Sequence, residues 1–263
     1  MIALQVQIKR KTYPGAPADV LQGLAFETRP GEFIALVGPS GAGKTTILNL
    51  VGGLDRDLEG EIRIDGQPLT DRHSYPVRYG YMFQEPRLMP WLTVEDNVRL
   101  VLNGERNAAE RARALISEVE LSGSERAYPG QLSGGMQRRV ALARAFAVRP
   151  ALLLMDEPFI SLDVPTAARL RDQLMRLWKE LRPTVLFVTH DLREALSVAD
   201  RVIFLSVSPA RVVKEVEIDL PRPRDPFGKG VAEIHARLLQ EHPALLSGLT
   251  RDAGDYNEQR RTA

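Results

Sequence analysis

Residues 38–45 read Gly38-Pro39-Ser40-Gly41-Ala42-Gly43-Lys44-Thr45, and the fold can be inferred from this segment. It matches the pattern G-x-x-x-x-G-K-S/T, in which glycines let backbone N–H groups curl around an anion. A continuous apolar run at residues 33–37 precedes it, and a helical pattern at residues 45–54 follows it. A buried strand before the loop and a helix after it are the context that the pattern requires. The sequence therefore predicts a phosphate-binding loop.

Two side chains of this loop have predicted roles toward a nucleotide. Lys44 is expected to reach the β- and γ-phosphates, and the Thr45 hydroxyl is expected to ligate Mg²⁺. We therefore predict ATP and Mg²⁺ as cofactors. The residues predicted to contact the nucleotide here are Gly38, Pro39, Ser40, Gly41, Ala42, Gly43, Lys44, Thr45 and Thr46.

A second apolar run, residues 151–155, leads into the acidic pair Asp156 and Glu157. A buried strand of this kind delivers a carboxylate beside the metal, where hard oxygen ligands are preferred. We predict Asp156 as a metal ligand. Glu157 follows it and is predicted to polarise the attacking water as the catalytic base.

The remaining chain alternates between strand and helix patterns. Val6 and Ile8 alternate with polar residues, which predicts antiparallel β-structure at the start. Residues 61–66 form a hairpin-like strand pattern that ends in Asp65-Gly66. Strand patterns vanish between about residues 86 and 148, which predicts a helical subdomain. The strands predicted after it are residues 151–155, 185–188 and 202–205, and an amphipathic helix is predicted at residues 166–181.

These strands alternate with helices, which implies a mostly parallel sheet in an α/β protein. Pro221-Arg222-Pro223-Arg224-Asp225-Pro226 breaks the chain. Beyond it, Phe227, Val231, Ile234 and Leu238 have helical spacing, which predicts a short docked helix. Residues 252–263 are polar and are expected to be frayed.

Composition limits the classes of partner and compartment. The 263 residues carry 35 basic and 34 acidic side chains, so no overall field attracts nucleic acid or anionic lipid. Cysteine is absent, which removes disulfides and thiol chemistry and is typical of a reducing compartment. The sequence has neither an apolar run long enough to span a bilayer nor a signal-peptide pattern. We expect a cytoplasmic protein that reaches a membrane only through a partner.

A third motif separates this chain from a generic nucleotide-binding protein. Ser133, Gly134 and Gly135 precede a helical run at residues 136–148, which makes a second helix N-terminus with free backbone amides. In this position, between the two earlier motifs, the segment resembles the signature of ATP-binding cassette (ABC) proteins. The order Met136-Gln137-Arg138-Arg139 differs from the common one without removing a ligand.

The companion motifs of that family are present in order. Gln84 resembles the Q-loop glutamine, which touches Mg²⁺ or the attacking water, and Asp163 lies in a segment that resembles the D-loop. His190 resembles the switch histidine that contacts the γ-phosphate. Tyr13, 25 residues before Gly38, resembles the aromatic residue on which adenine stacks, although only distance identifies it.

The resemblance covers residues 1 to about 220 and implies the rest of the assignment. It implies a P-loop NTPase (RecA-like) core with a mostly parallel sheet, an N-terminal antiparallel β subdomain and an inserted α-helical subdomain. Residues 221–263 are then a C-terminal helix and tail. The implied metal ligands are Thr45, Gln84 and Asp156. In the family two cassettes pack head to tail, so the resemblance implies a homodimer with ATP between the phosphate loop of one subunit and the signature of the other.

Three kinds of ABC protein remain open. DNA-repair or chromosome-organising ATPases carry a long coiled coil or zinc cysteines, and translation factors carry two cassettes, whereas this chain has room for one. A transporter ATPase fits best. The resemblance then implies transmembrane permease subunits as partners, a solute-binding protein indirectly, no nucleic acid, and a peripheral position on the cytoplasmic face of the cell membrane.

The segment after Gln84 is similar to one branch of transporters. Leu88-Met89-Pro90-Trp91 is an apolar cluster that either receives a coupling helix of the permease or packs the helical subdomain onto the core. The sequence of residues 84–94 resembles that of the nitrate/sulfonate/taurine importers. The Pro158-Phe159 pair and the tail at residues 221–226 also resemble that branch. Ile160 departs from that branch, which has a small residue there. The implied function is uptake of a small anion or sulfonate-like solute, and the solute itself stays open.

Overall fold

The computed structural model describes residues 1–69, 75, 77–102 and 104–242, which form two sheets and seven α-helices. The strands are β1 (Leu4–Lys11), β2 (Leu21–Glu27), β3 (Phe33–Val37), β4 (Glu59–Ile64), β5 (Gln67–Pro68), β6 (Tyr79–Met82), β7 (Leu152–Asp156), β8 (Thr184–Thr189), β9 (Arg201–Leu205) and β10 (Val212–Glu217). The helices are α1 (Lys44–Val51), α2 (Val94–Arg99), α3 (Ala108–Glu118), α4 (Gly134–Ala147), α5 (Val164–Leu181), α6 (Leu192–Val198) and α7 (Lys229–Glu241).

The central sheet has six strands in the order β10-β9-β3-β8-β7-β6. All neighbouring pairs are parallel except β10 with β9. β3, β7 and β8 are therefore interior strands, and every residue in them is buried. Because parallel strands end at the same edge, the residues after Val37, Met155 and Val188 meet there. The predicted mostly parallel sheet of an α/β protein is confirmed.

Alternate residues of β3 enter two different hydrophobic cores. Phe33, Ala35 and Val37 face a core shared with α4 and α5. Ile34 and Leu36 face a core shared with α1 and the second sheet. Both faces of the strand are covered, which explains why its sequence is a continuous apolar run rather than an alternating one.

The second sheet is antiparallel and has the order β2-β1-β4-β5. Leu4, Val6 and Ile8 are buried while the intervening residues are exposed, as the alternating pattern predicts. Asp65 and Gly66 connect β4 to β5 with positive φ angles of 49° and 75°. This is the conformation that an Asp-Gly hairpin turn favours.

The region predicted to be helical contains α2, α3 and α4, and it also contains 3₁₀ turns at Leu100–Leu102 and Pro129–Gln131. Helix α4 crosses β6 at very short range. A Cβ atom added to Gly80 would lie 2.3 Å from the carbonyl oxygen of Ala145. Because β6 leads to Gln84 and α4 begins beside Ser133, this contact fixes two predicted site segments relative to each other.

Some sequence predictions differ from the structure in detail. Helix α1 begins at Lys44 and ends at Val51, because Gly52 caps it and Gly53 has a φ angle of 66°. Phe227 lies before α7 and is exposed, since that helix begins only after Gly228. The sequence reasoning did not predict α6 or β10. The predicted frayed tail at residues 252–263 lies outside the described residues, and the division near residue 220 stays a prediction.

Among the described residues, no helix combines the length and the hydropathy that crossing a bilayer requires.

Replacing Gly80 with alanine is expected to lower the free energy of unfolding by about 1–3 kcal/mol, because the new methyl group forces α4 away from β6. Gly130→Ala is the matched control. Gly130 has no atom within 4 Å of an added Cβ and is not among the positive-φ glycines. Urea unfolding of both variants measures the difference, and equal stabilities would contradict the close packing.

Candidate active site

The phosphate loop leaves β3 at Gly38 and enters α1 at Lys44. Gly41 and Gly43 both have a φ angle of 79°, a conformation that L side chains rarely adopt. A Cβ atom on Gly43 would also lie 2.8 Å from side-chain atoms of Val20 and Leu21. Glycine is therefore required at position 43 for both backbone conformation and space.

Lys44 is buried at the start of α1 with its ammonium group inside the loop. Its Nζ donates to the carbonyl oxygens of Gly38 at 2.8 Å and Pro39 at 2.9 Å. Burial lowers the pKa of Lys44, while the carboxylates of Glu157 and Asp156 oppose that effect. These contacts hold the ammonium group of Lys44 inside the loop, where it can pair with a bound anion.

Thr45 and Asp156 lie near each other. Asp156 is the buried last residue of β7, and it lines a cavity of about 600 Å³ together with Thr45. Burial raises the pKa of Asp156, and the nearby Thr45 hydroxyl partly offsets this. One hydroxyl and one carboxylate form a small set of hard oxygen donors of the kind that suits Mg²⁺.

These donors fit a metal that is bound together with a nucleotide. Within the described residues, no group of three or more His, Cys, Asp or Glu side chains could hold a metal ion. Mg²⁺ is usually held by one or two carboxylates together with substrate phosphates rather than by an all-protein cage. Thr45 and Asp156 fit that mode of binding.

Glu157 and His190 form a hydrogen-bonded pair at the same edge of the sheet. The Nδ1 atom of His190 lies 2.9 Å from Oε2 of Glu157, and Oε1 of Glu157 lies 4.0 Å from Nζ of Lys44. Glu157 adopts a positive φ angle of 44°, which is uncommon for a residue with a side chain. Its backbone N–H donates to the Val188 carbonyl at 2.9 Å, which ties this turn to β8.

A cavity of about 420 Å³ brings most of these residues together. Its lining includes the predicted residues Ser40, Gly41, Gly43, Lys44, Thr45, Thr46, Gln84, Glu157 and His190. Val20 and Ile160 also line it. Val20 could not be predicted from the sequence because no motif contains it, and Ile160 stands out there only as a departure from the resembling branch.

Tyr13 lies beside the loop rather than in this cavity lining. Its hydroxyl is 3.2 Å from Oγ1 of Thr46, and Nζ of Lys11 lies 4.7 Å from the centroid of its ring. Tyr13 is 38% exposed, so part of the residue remains open to contact. Its role in adenine stacking stays a prediction.

Ser133, Gly134 and Gly135 lie elsewhere in the chain. Ser133 caps α4 and accepts a hydrogen bond from the Met136 N–H at 3.3 Å. A Cβ on Gly135 would lie 2.5 Å from Cγ2 of Thr166 in helix α5. Asp163 is the N-cap of α5. The signature and the D-loop are therefore neighbours of each other, and neither lines the 420 Å³ cavity.

Arg138 and Arg144 on α4 hold the segment that contains Gln84. Arg138 donates to the carbonyl of Gln84 at 3.0 Å and to that of Pro158 at 3.2 Å. Arg144 donates to the carbonyls of Pro86 at 2.7 Å and Arg87 at 2.8 Å. Neither arginine was predicted from the sequence, because contacts to backbone carbonyls leave no pattern in the residues they join.

The loop around His190 rests on a buried glutamate. The Thr189 hydroxyl donates to Oε2 of Glu194 at 2.7 Å and accepts a hydrogen bond from the Asp191 N–H at 3.0 Å. Burial raises the pKa of Glu194 to about 6, against the effect of the Thr189 hydrogen bond. Glu194 thus fixes the residues on both sides of His190, and the sequence reasoning did not find it.

Comparison with known proteins shows which family this chain is similar to. Residues 21–160 match the family described as ABC transporter. The chain is 40% identical over 224 residues to an aliphatic sulfonates import ATP-binding protein of Bacillus cereus, covering 85% of this chain and 88% of that protein. It is 39% identical over 243 residues to the protein of the same description from Bacillus subtilis (strain 168), covering 91% and 94%.

Solved structures agree with these sequence relatives. The dimeric structure of a post-hydrolysis state of an ATP-binding cassette bound to ADP and Pi is 32% identical, with a TM-score of 0.71. A dimeric bacterial ABC transporter cassette is also 32% identical, with a TM-score of 0.72. Each covers 84% of this chain and 100% of the other.

Replacing Glu194 with glutamine is expected to stabilise the protein above pH 6. The pKa of Glu194 is raised from 4.5 to about 6, so the folded protein keeps a proton that the unfolded chain releases. The free energy of unfolding of the unmodified protein therefore falls as pH rises through this window. The variant should be more stable by roughly 1–2 kcal/mol at about pH 8.

The advantage of Glu194→Gln should shrink as pH falls from about 6 to 4.5. Urea unfolding across this range measures it. Glu110→Gln, which removes an exposed carboxylate on α3, is the control and should show no such trend. A gain that does not depend on pH would contradict a buried, titrating Glu194.

Proposed function

The chain belongs to the ABC transporter family, and we propose that it is the ATP-hydrolysing subunit of a membrane importer. One observation carries the proposal. Lys44, Thr45, Glu157 and His190 line a single cavity, and Thr45 also lines a second cavity together with the buried Asp156. This arrangement provides a cation for phosphates, oxygen donors for Mg²⁺ and a paired carboxylate for water.

In the proposed reaction, Gly38–Thr46 binds the phosphates and Lys44 stabilises the charge that develops on them. Thr45 and Asp156 would hold Mg²⁺, and Gln84 lines the same cavity as these two residues. Bound Mg²⁺ screens the negative charge of the phosphates. Glu157 accepts the proton of the attacking water. His190, hydrogen-bonded to Glu157, orients that carboxylate and contacts the terminal phosphate.

The position of the signature supports a homodimer. Ser133–Gly135 presents backbone amides at a helix N-terminus, yet it does not line the cavity that contains its own phosphate loop. A second copy in a head-to-tail arrangement would bring the signature of one subunit, with Asp163 beside it, to the nucleotide of the other. The similar cassettes of known structure are dimers by their descriptions.

We propose uptake of a sulfonate or a similar small anion, because several relatives at about 40% identity are described as aliphatic sulfonates import proteins. Nitrate and taurine are the neighbouring solutes in the resembling branch. A non-transport role in DNA repair or translation is not favoured, since these relatives are described as import proteins instead.

We further propose that permease subunits dock beside Gln84 and hold the protein at the cytoplasmic face of the membrane. A cavity of about 600 Å³ is lined by Leu54, Phe83, Glu85 and Arg87 and also by Thr45 and Asp156. Near this segment, Trp91 is 70% exposed. The side-chain amide of buried Asn97 forms hydrogen bonds with backbone groups of Met89, Leu92 and Thr93. These bonds hold the loop that carries Trp91 in a fixed conformation.

Isolation of the protein from native membranes tests the proposed system. We expect permease subunits and a solute-binding protein to co-purify. We expect an aliphatic sulfonate to raise the melting temperature of that binding protein. Recovery of nucleic acid or ribosomes in place of a permease would contradict the transporter assignment. If nitrate alone stabilises the binding protein, the proposed sulfonate is wrong and nitrate is the solute.

Replacing Glu157 with glutamine is expected to lower the ATP turnover by about 100-fold or more, because the water loses its proton acceptor. ATP binding should persist, since Lys44 and the loop are intact. With ATP present, the variant should therefore elute as a dimer from a sizing column. Glu233→Gln on α7 is the exposed control and should keep the normal turnover. Unchanged turnover in Glu157→Gln would contradict its role as the base.

Replacing Trp91 with alanine is expected to weaken permease binding by about tenfold or more, since exposed tryptophans that become buried on binding are frequent hot spots of interfaces. Co-purification of the permease with tagged variants measures the effect. Phe227→Ala is the matched control, because Phe227 is 64% exposed and lies next to α7. If both variants recover the permease equally well, docking at Trp91 is wrong.

A further inference from the structure

A groove of about 800 Å³ lies between α5 and the chain that joins β10 to α7. Six of its lining side chains are cationic and three are acidic, although the net charge of the whole chain is only +1. We call it the basic groove and define it by Arg171, Lys179, Arg182 and Arg222. Its volume lies within the range of small-molecule sites.

The end of the basic groove that Arg182 and Asp200 line lies away from the catalytic edge of the sheet. Arg182 is the C-cap of α5, two residues before β8 begins, and Asp200 accepts a hydrogen bond from the N–H of Phe33 at the start of β3. These are the amino ends of the parallel strands. Asp156 is the last residue of β7 and Glu157 follows it, so this end of the groove and the nucleotide cavity lie at opposite edges.

One wall of the groove is built around Trp178, which is 3% exposed. Its Nε1 donates to the Pro183 carbonyl at 3.1 Å. The guanidinium of Arg182 lies 4.4 Å from the centroid of the ring, and that of Arg222 lies 4.7 Å from it. The tryptophan therefore sits between two cations, and each of them is held in place by its contact with the ring.

The opposite wall is the proline-rich segment at residues 221–226, and Arg224 fixes it. The guanidinium of this buried residue donates to the carbonyls of Leu196 at 2.9 Å and Leu220 at 2.8 Å. Arg222 donates to the carbonyl of Val198 at 3.1 Å and to Asp200 at 2.6 Å. Both walls are thus preformed, which lowers the ordering cost of binding a ligand.

Part of the positive charge in the groove is not neutralised. Arg222 pairs with Asp200 and Arg176 with Glu120. In contrast, Arg171, Lys179 and Arg182 form no ion pair with any residue that the structure describes. Arg171 is half-buried, and burial lowers its pKa despite the attraction of Asp172, Glu194 and Asp225. A cation withdrawn from water is stabilised when an anion pairs with it.

We propose that the basic groove binds a small organic anion that carries phosphate or carboxylate groups. Guanidinium groups match both kinds of oxyanion through paired N–H donors. Met175, Ile218 and Leu220 give the groove apolar surface for the remainder of such a ligand. The two sources of the shared chemistry are a phosphate ester and a polycarboxylate, and binding of either would occur apart from the ATP site.

The alternative is a solvated basic surface that attracts anions only through its net charge. Two features favour a site. Arg171 is half-buried rather than extended into water, and the groove has walls tied to buried backbone carbonyls. A diffuse basic surface would lose anion binding equally when any two cations of the protein are removed, which allows an experiment to separate the two cases.

Fluorescence of Trp178 tests the proposal. The chain has two tryptophans, Trp91 and Trp178, so Trp91→Phe leaves only the one between Arg182 and Arg222. The Trp91→Phe protein is titrated with pyrophosphate and, separately, with citrate at constant ionic strength. We expect a saturable change in emission with at least one of them. No saturable change up to about 10 mM of either anion would overturn the proposal.

Three variants in this background complete the test. Arg171→Gln with Lys179→Gln, which leaves the contacts of Trp178 intact, should weaken the binding by about tenfold or more. Arg106→Gln with Arg237→Gln removes two exposed cations elsewhere and should not weaken it. Lys44→Ala should also leave the titration unchanged. Equal weakening in the control pair, or loss of the signal in Lys44→Ala, would overturn the proposal.

Discussion

The backbone hydrogen bonds among β3, β8 and β7 are the constraint on which the candidate active site depends. Each strand is buried on both faces, so its position is fixed by ladder bonds and by two cores at once. Because the strands are parallel and in register, their carboxyl ends place Lys44, Asp156 and His190 within one small volume. No long-range electrostatic attraction is needed to assemble these groups. The charges are brought together by apolar packing behind them.

Much of this could be predicted from sequence, because the motifs are local. A phosphate loop needs adjacent glycines, a lysine and a hydroxyl, and an apolar strand that ends in Asp156-Glu157 is visible as a run of letters. The hairpin at Asp65-Gly66 is likewise determined by two neighbouring residues. The fold class followed from these patterns and is confirmed. The roles of the individual site residues stay predictions, although the structure places most of them around one cavity.

What could not be predicted depends on contacts between distant segments. Arg138 and Arg144 act on backbone carbonyls 54–58 residues away, and such acceptors look the same at every position. Gly80 is small because α4 crosses it, which is visible only when both elements are placed. The predicted helix extends to Leu54, whereas α1 ends at Val51 because two glycines follow and the backbone turns at Gly53. Glu194 has no motif, since its partner is the hydroxyl of a residue in the strand before it.

The hydrogen bonds from α4 to the backbone of residues 84–87 have an evolutionary consequence. Arg138 and Arg144 bind main-chain oxygens, which every amino acid supplies, so substitutions at residues 84–87 do not by themselves break these bonds. The same helix is capped at its N-terminus by Ser133. The segment can therefore diversify its side chains to suit a different neighbour while its mechanical linkage to the far end of α4 is preserved. Related proteins can therefore change the partner that binds this segment while they keep the hydrogen bonds that connect it to α4.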